Sequence, residues 1–241
     1  MTAESAVYIE PGLHPLDDPV RASLRGQHRE FATWVGRVGR YDPRVARFCG
    51  HPPVLDDRDW ADLAALVGPG GAAALRGGGH VPPPGWTIVR EFGSVQMDGS
   101  GLAVSADPEL VVLTAADVPE ILELIARTDP GPYAPRTIEM GAYLGVRVDG
   151  RLVAMAGERL HPPGWTEISA VCTDAEFRGR GYASRLVRAV GAGIRARGEI
   201  PFLHALATNT TAIRLYESLG FTVRQRSSAM IVQAPAAYGR N

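Results

Sequence analysis

The chain has 241 residues, 25 basic against 26 acidic, and every basic residue is arginine, so its formal charge of −1 gives it no general reason to seek nucleic acid or an anionic membrane. Its hydrophobic fraction of 45% is enough for a sizeable core, and the sequence has no apolar run of about 18 residues that would cross a bilayer. Met1–Glu10 lacks a cationic start with an apolar stretch, and Cys49 and Cys172 have no metal-ligand spacing, which predicts a cytoplasmic protein with two free thiols and no metal site.

Residues 1–105 contain helical patterning over Asp59–Val67 and two turn-rich stretches, Gly68–Gly71 and Gly77–Gly85, but no chemical motif. From residue 106 the pattern alternates. Leu110–Leu113 reads as a short strand, and Thr114 caps a helix carrying Val118, Ile121, Leu122 and Ile125 at helical spacing. Strands over Tyr143–Val148 and Leu152–Leu160 meet through Asp149-Gly150, a strong hairpin signal. A strand over Thr166–Thr173, a glycine turn, a helix to about Arg197, a strand over Phe202–Ala207, a helix over Thr210–Leu219 and one or two strands over Phe221–Gln233 follow. The expected class is α/β (α+β), a mixed central sheet with helices on both faces in 106–241, preceded by an accessory α/β unit, or a degenerate second half, in 1–105.

The turn reads Arg178-Gly179-Arg180-Gly181-Tyr182-Ala183, after a strand and before a helix whose inner face is Ala183, Leu186, Val187, Val190 and Ile194. Free first-turn amides and glycines without Cβ atoms make such a helix start an anion site. Six arginines and no acid fall between Arg178 and Arg197, which suggests positive charge gathered along this helix. The turn is not a dinucleotide fingerprint, because Ser184 stands where the third small residue is wanted. Downstream comes Asn209-Thr210-Thr211-Ala212-Ile213-Arg214-Leu215-Tyr216-Glu217-Ser218-Leu219-Gly220-Phe221. The two motifs in this order resemble the acetyl-CoA-binding core of the GNAT superfamily of N-acetyltransferases, specifically over Thr166–Phe221 and more loosely over 108–235.

The resemblance implies direct transfer of an acetyl group from acetyl-CoA to a primary amine of a small molecule or peptide. It places the pantetheine arm on the amides of Val171, Cys172 and Thr173, and the pyrophosphate on Gly179, Gly181, Tyr182 and Ala183 between Arg178 and Arg180. Asn209 matches a position that contacts the cofactor arm, and Tyr216 matches a tyrosine set beside the reacting sulfur. Two residues could serve as base: Glu167, which period-two alternation puts on one face with Ser169 and Val171, and His204 on the next strand, whose ordinary pKa suits neutral pH. An exposed strand glutamate, a core histidine and a core tyrosine are the ordinary alternatives. A binding or sensing module without turnover is the alternative function. The acceptor, and whether the chain is a monomer or a homodimer, stay open.

Overall fold

The computed structural model describes residues 14–77 and 79–236; Met1–Glu10 and part of the Gly77–Gly85 stretch therefore lie outside the described residues. An eight-stranded sheet forms its spine. From residue 106 onward it contains β6 (Val111–Leu113), β7 (Tyr143–Val148), β8 (Arg151–Glu158), β9 (Trp165–Thr173), β10 (Ile200–Leu206) and β11 (Thr222–Gln233). Two further strands come from the first hundred residues, β4 (Ala72–Arg76) and β5 (Thr87–Asp98), giving the order β4-β11-β5-β10-β9-β8-β7-β6. Only β9 and β10 run parallel, as expected where a helix makes the crossover.

The β5 strand lies before residue 105 yet joins the later strands. It pairs with β10 on one side and β11 on the other, so the sheet continues across that boundary. Its outer half is exposed and only Ser94–Met97 is buried, so clear alternation is missing. The remaining early elements are α1 (Pro19–Arg25), α2 (Asp57–Val67) and a three-stranded sheet of β1 (Ala32–Val35), β2 (Val38–Tyr41) and β3 (Cys49–Gly50). Asp56 and Asp59 start α2 with a reciprocal capping box, and its buried Trp60 and Leu63 join Leu75, Met230 and Val232 over β4 and β11.

Helices cover both faces of the sheet. One side receives α4 (Tyr182–Ala196) and α5 (Thr210–Leu219), whose Leu186, Val187, Val190, Ile194, Ile213 and Tyr216 pack with Ile168 and Leu203. On the other side α3 (Val118–Thr128) packs Ile121 and Leu124 against Tyr143, Met155 and Cys172. Beside it, Leu16, Val20, Leu24 and Tyr41 pack on Phe202. The Asp149-Gly150 hairpin forms as expected, with both residues at positive φ, 50° and 82°. The final segment is one long strand, held by both β5 and β4.

Candidate active site

The parallel strands β9 and β10 pair only between Trp165–Ile168 and Ile200–Leu203. Beyond Ile168, β9 stays hydrogen-bonded to β8 as far as Thr173, and beyond Leu203, β10 stays bonded to β5 as far as Leu206. Each is thus held by its outer neighbour while the inner edges part. A bulge accompanies the parting: three steps from Ser169 to Cys172 oppose two from Gly157 to Met155, and Ala170 adopts φ 52°. A non-glycine residue in that region is strained by about 1–2 kcal/mol. The bulge also corrects the predicted face. Val171 packs with Ile168 on the α4 side, whereas Ala170 and Cys172 turn to the α3 side, so Val171 does not share the face of Glu167.

The turn after β9 is pinned by Asp174, whose carboxylate accepts from Arg127 of α3 and Arg151 of β8. Gly179 and Gly181 take φ 77° and 78°, which favours glycine, and a Cβ built on either meets nothing within 4 Å, so the backbone here faces open space. Arg178 donates to the Thr173 carbonyl, Arg180 stacks on Phe177, and among the described residues neither meets a carboxylate. The arginine series itself divides. Arg185 is bound by Asp107 and Glu109, Arg195 by the carbonyls of Gly99 and Ser100, and Arg197 by Glu158 and Glu199. Arg188 has no partner for its buried Nε among the described residues, so carboxylates answer only part of the series, and the two arginines at the helix start, where Tyr182 and Ala183 are half-buried, are among those that meet none. Such a turn fits a polyphosphate: open backbone, free first-turn amides and two available guanidinium groups.

Glu167 and His204 are brought together on the side of the sheet away from α4. His204 Nδ1 lies 2.5 Å from Glu167 Oε1, and Arg159 forks onto the same carboxylate with two contacts of 2.8 Å. Glu167 is not an exposed strand residue but has no accessible side-chain surface. Burial opposes its charge, yet the Arg159 guanidinium and His204 hold its carboxyl well below the usual range. Burial pushes His204 down to about 4, helped by the Arg76 cation, so at neutral pH the ring is uncharged. The partners fix its tautomer: Nδ1–H donates to Glu167, while Nε2 accepts from Arg76 at 2.5 Å and from Gln96 at 3.1 Å.

Tyr216 sits apart from this pair, in the α4-side cluster, with its ring 5.9 Å from that of Phe221. Burial pushes its hydroxyl up to about 12, with a smaller contribution from the Cys172 thiol on the parting strand. Cys172 is itself pushed up to about 11 by burial, which makes its thiolate rare at neutral pH. Both cysteines are free and buried. Asn209 caps α5, its side-chain oxygen accepting from the Ala212 amide, which leaves its amide nitrogen free to donate to a ligand.

Arg159, Arg76, Gln96 and Tyr133 surround these groups but carry no motif. Tyr133 has a buried hydroxyl without a partner among the described residues and lines a cavity of about 470 Å³ on the α3 side. Such residues become visible only when strands distant in sequence are laid side by side. Among the described residues no helix is long and apolar enough to cross a membrane.

Known proteins share this architecture. The family model described as FR47-like protein matches residues 143–230. The chain is 36% identical over 132 residues to N-alpha-acetyltransferase RimI of Mycobacterium tuberculosis, spanning 49% of this chain and 82% of that protein. It is 35% identical over 101 residues to mycothiol acetyltransferase of Acidimicrobium ferrooxidans, spanning 39% of this chain and 32% of that protein. A crystal structure described as an acetyltransferase of the GNAT family, from Novosphingobium aromaticivorans, superposes with a TM-score of 0.85 at 43% identity, covering 93% of this chain and 100% of its own. That last match runs through the early strands as well as the glycine turn, and with the RimI relative it shows that the chain belongs to the GNAT superfamily of acetyltransferases.

Proposed function

We propose that the protein moves an acetyl group from acetyl-CoA to a primary amine by direct attack. The observation supporting this reading is the parting of β9 from β10 beside an open glycine turn with two arginines that meet no carboxylate among the described residues. In it, the amides of Val171, Cys172 and Thr173 and the Asn209 side chain hold the pantetheine arm. Arg178, Arg180 and the turn Gly179–Ala183 hold the phosphates.

Acetyl-CoA supplies an activated acyl carbon: the amine nitrogen bonds to that carbon, the carbon–sulfur bond breaks, and the sulfur leaves with the electron pair. The amine gives up a proton and the thiolate eventually gains one. Tyr216, with a hydroxyl near 12, stays protonated at neutral pH and can donate a hydrogen bond to the departing sulfur. Complete transfer from a group at about 12 to a thiolate of ordinary pKa near 8.5 runs uphill by roughly three to four units, so solvent completes that protonation. Glu167 and His204 act as a positioning pair in this reading. Arg159 stands before the carboxylate, and Arg76 and Gln96 occupy the imidazole Nε2. The amine proton therefore leaves through water. Residues 1–105 serve as an accessory unit that completes the sheet and walls the acceptor side.

The test is calorimetric titration with acetyl-CoA, followed by thiol release with a panel of amines. Binding together with turnover is expected, and Tyr216→Phe should lower kcat by about 10- to 100-fold while leaving the KM for acetyl-CoA within about twofold. No heat at millimolar acetyl-CoA overturns the reading. Binding without turnover on any amine would instead indicate an acyl-CoA-binding module.

A further inference from the structure

The cavity of about 470 Å³ lies between the loop over 43–48 and the loop over 131–140, with Ile125 of α3 and Arg159 deeper in its lining. Two of its lining residues reach groups on β9. Tyr133 is close enough to Cys172 for that thiol to raise its pKa further, and Arg159 forks onto Glu167. Arg159 and Tyr133 thus connect the cavity's lining to Glu167 and Cys172 of β9, on the α3 side of the sheet. The cavity's volume suits a compact small molecule or the last few residues of a peptide.

We propose that this cavity takes the acceptor, and that the acceptor is a compact amine combining an apolar body with an anionic group such as a carboxylate. The inference rests on the acetyl-transfer reading above and adds the substrate class. The apolar body is set by Pro43, Val45, Phe48, Ile125, Pro132 and Met140. The charge is set by three arginines, Arg44, Arg47 and Arg159, with no acidic side chain in the lining. Two of these charges are already answered: Arg44 pairs with Asp42 at 2.7 Å, and Arg159 pairs with Glu167 at 2.8 Å. Arg47 is exposed and meets no carboxylate within 4.0 Å among the described residues.

Deeper in, Arg159 uses Nε and one terminal nitrogen on Glu167 and lays its guanidinium over Phe48 at 5.0 Å. Its Nη1 hydrogens have no partner among the described residues. The buried Tyr133 hydroxyl is also unpartnered. A carboxylate pairs with Arg47, and polar groups of the same molecule satisfy Tyr133 and Arg159 Nη1; a buried polar atom left without a partner is otherwise costly. A polycationic acceptor would instead bring like charge against Arg47 and Arg159, and the neighbouring acids Asp42 and Glu167 are already paired with arginines.

The experiment measures thiol release from acetyl-CoA by the full chain with three acceptors: 4-(aminomethyl)benzoate, the corresponding benzamide of equal shape, and spermidine. The benzoate should exceed the benzamide in kcat/KM by about 10- to 100-fold, the range of a hydrogen bond to a charged group, and spermidine should be poorest. Arg47→Glu should abolish or invert the preference for benzoate over benzamide; the side chain is exposed, so the variant should fold. Binding of 4-(aminomethyl)benzoate is followed by calorimetry in parallel. A benzamide or spermidine used as well as the benzoate overturns the proposal, as does a preference that survives Arg47→Glu. Turnover on other amines, with no binding or turnover of the benzoate, also overturns the proposed class while leaving acetyl transfer intact. Failure of acetyl-CoA to bind at all removes the broader reading instead.

Discussion

Glu167 shows how far a single residue's environment can depart from its place in the sequence. On paper it is one glutamate in a strand; in the structure it has no accessible side-chain surface and joins Arg159, His204 and, through His204, Arg76. Removing its charge leaves Arg159, itself only 14% exposed, as a buried cation beside a second one. Glu167→Gln should therefore cost about 3–5 kcal/mol of stability at pH 7, measured by urea unfolding. A loss below about 1 kcal/mol would mean that solvent already screens the pair. Alternation could put Glu167 on a face, but its partners come from β4, the residue just after β8, and β10, and nothing in the local sequence names them. The same holds for Tyr133, whose unpartnered hydroxyl appears only when the 131–140 loop is folded over α3.

The glycine turn is the element where local sequence and structure agree most closely. Two positive-φ positions, a helix start and two arginines lie within a few consecutive residues, so their geometry is a local matter and was legible. The rest of the arginine series was not legible, because its partners Asp107, Glu109 and Glu158 lie far away in the chain. With α4 fifteen residues long, Arg195 sits about 20 Å from the turn. Arg178→Ala and Arg180→Ala should each weaken acetyl-CoA binding by about tenfold, whereas Arg195→Ala should change it by less than about twofold. Gly181→Val should cost roughly 1–2 kcal/mol through its forced left-handed backbone and weaken binding further, since a Cβ would stand in the approach to the helix amides. Calorimetry and thermal unfolding read the two effects separately. Equal losses from Arg178→Ala and Arg195→Ala would place the anion along the helix rather than at its start.

At the scale of the whole molecule, burial of histidines ties stability to pH. His28, His51 and His204 are each pushed down to about 4, chiefly by burial. In the unfolded chain they take up protons near 6.5, while in the folded protein they stay neutral to about 4, so acid between these values favours unfolding. Each contributes a slope of up to about 1.4 kcal/mol per pH unit. Asp18 works the other way: burial pushes it up to about 6, so the folded protein takes up its proton first and offsets part of one histidine. Urea unfolding should show stability falling by on the order of 3 kcal/mol from pH 6.5 to 5. A flat profile over that window would show that the histidines gain protons without opening the fold.

By itself, the sequence determined the alternation of elements after residue 106, the Asp149-Gly150 hairpin and the glycine turn, while the class of chemistry came from the family resemblance that those motifs carry. Each motif is written in contiguous residues, through backbone preference and hydrophobic period. Only the tertiary structure decided that β5 enters the sheet between β10 and β11, that β9 bulges at Ala170, and that Glu167 is sealed against Arg159. Those outcomes depend on pairings across tens of residues, where hydrogen bonds and charges are satisfied by whichever distant strand packs alongside. Composition had suggested a neutral chain with a positive helix. Folding paired Arg185 and Arg197 of that arginine series with carboxylates and left Arg178 and Arg180 at the turn, and Arg47 beside the cavity, without one among the described residues.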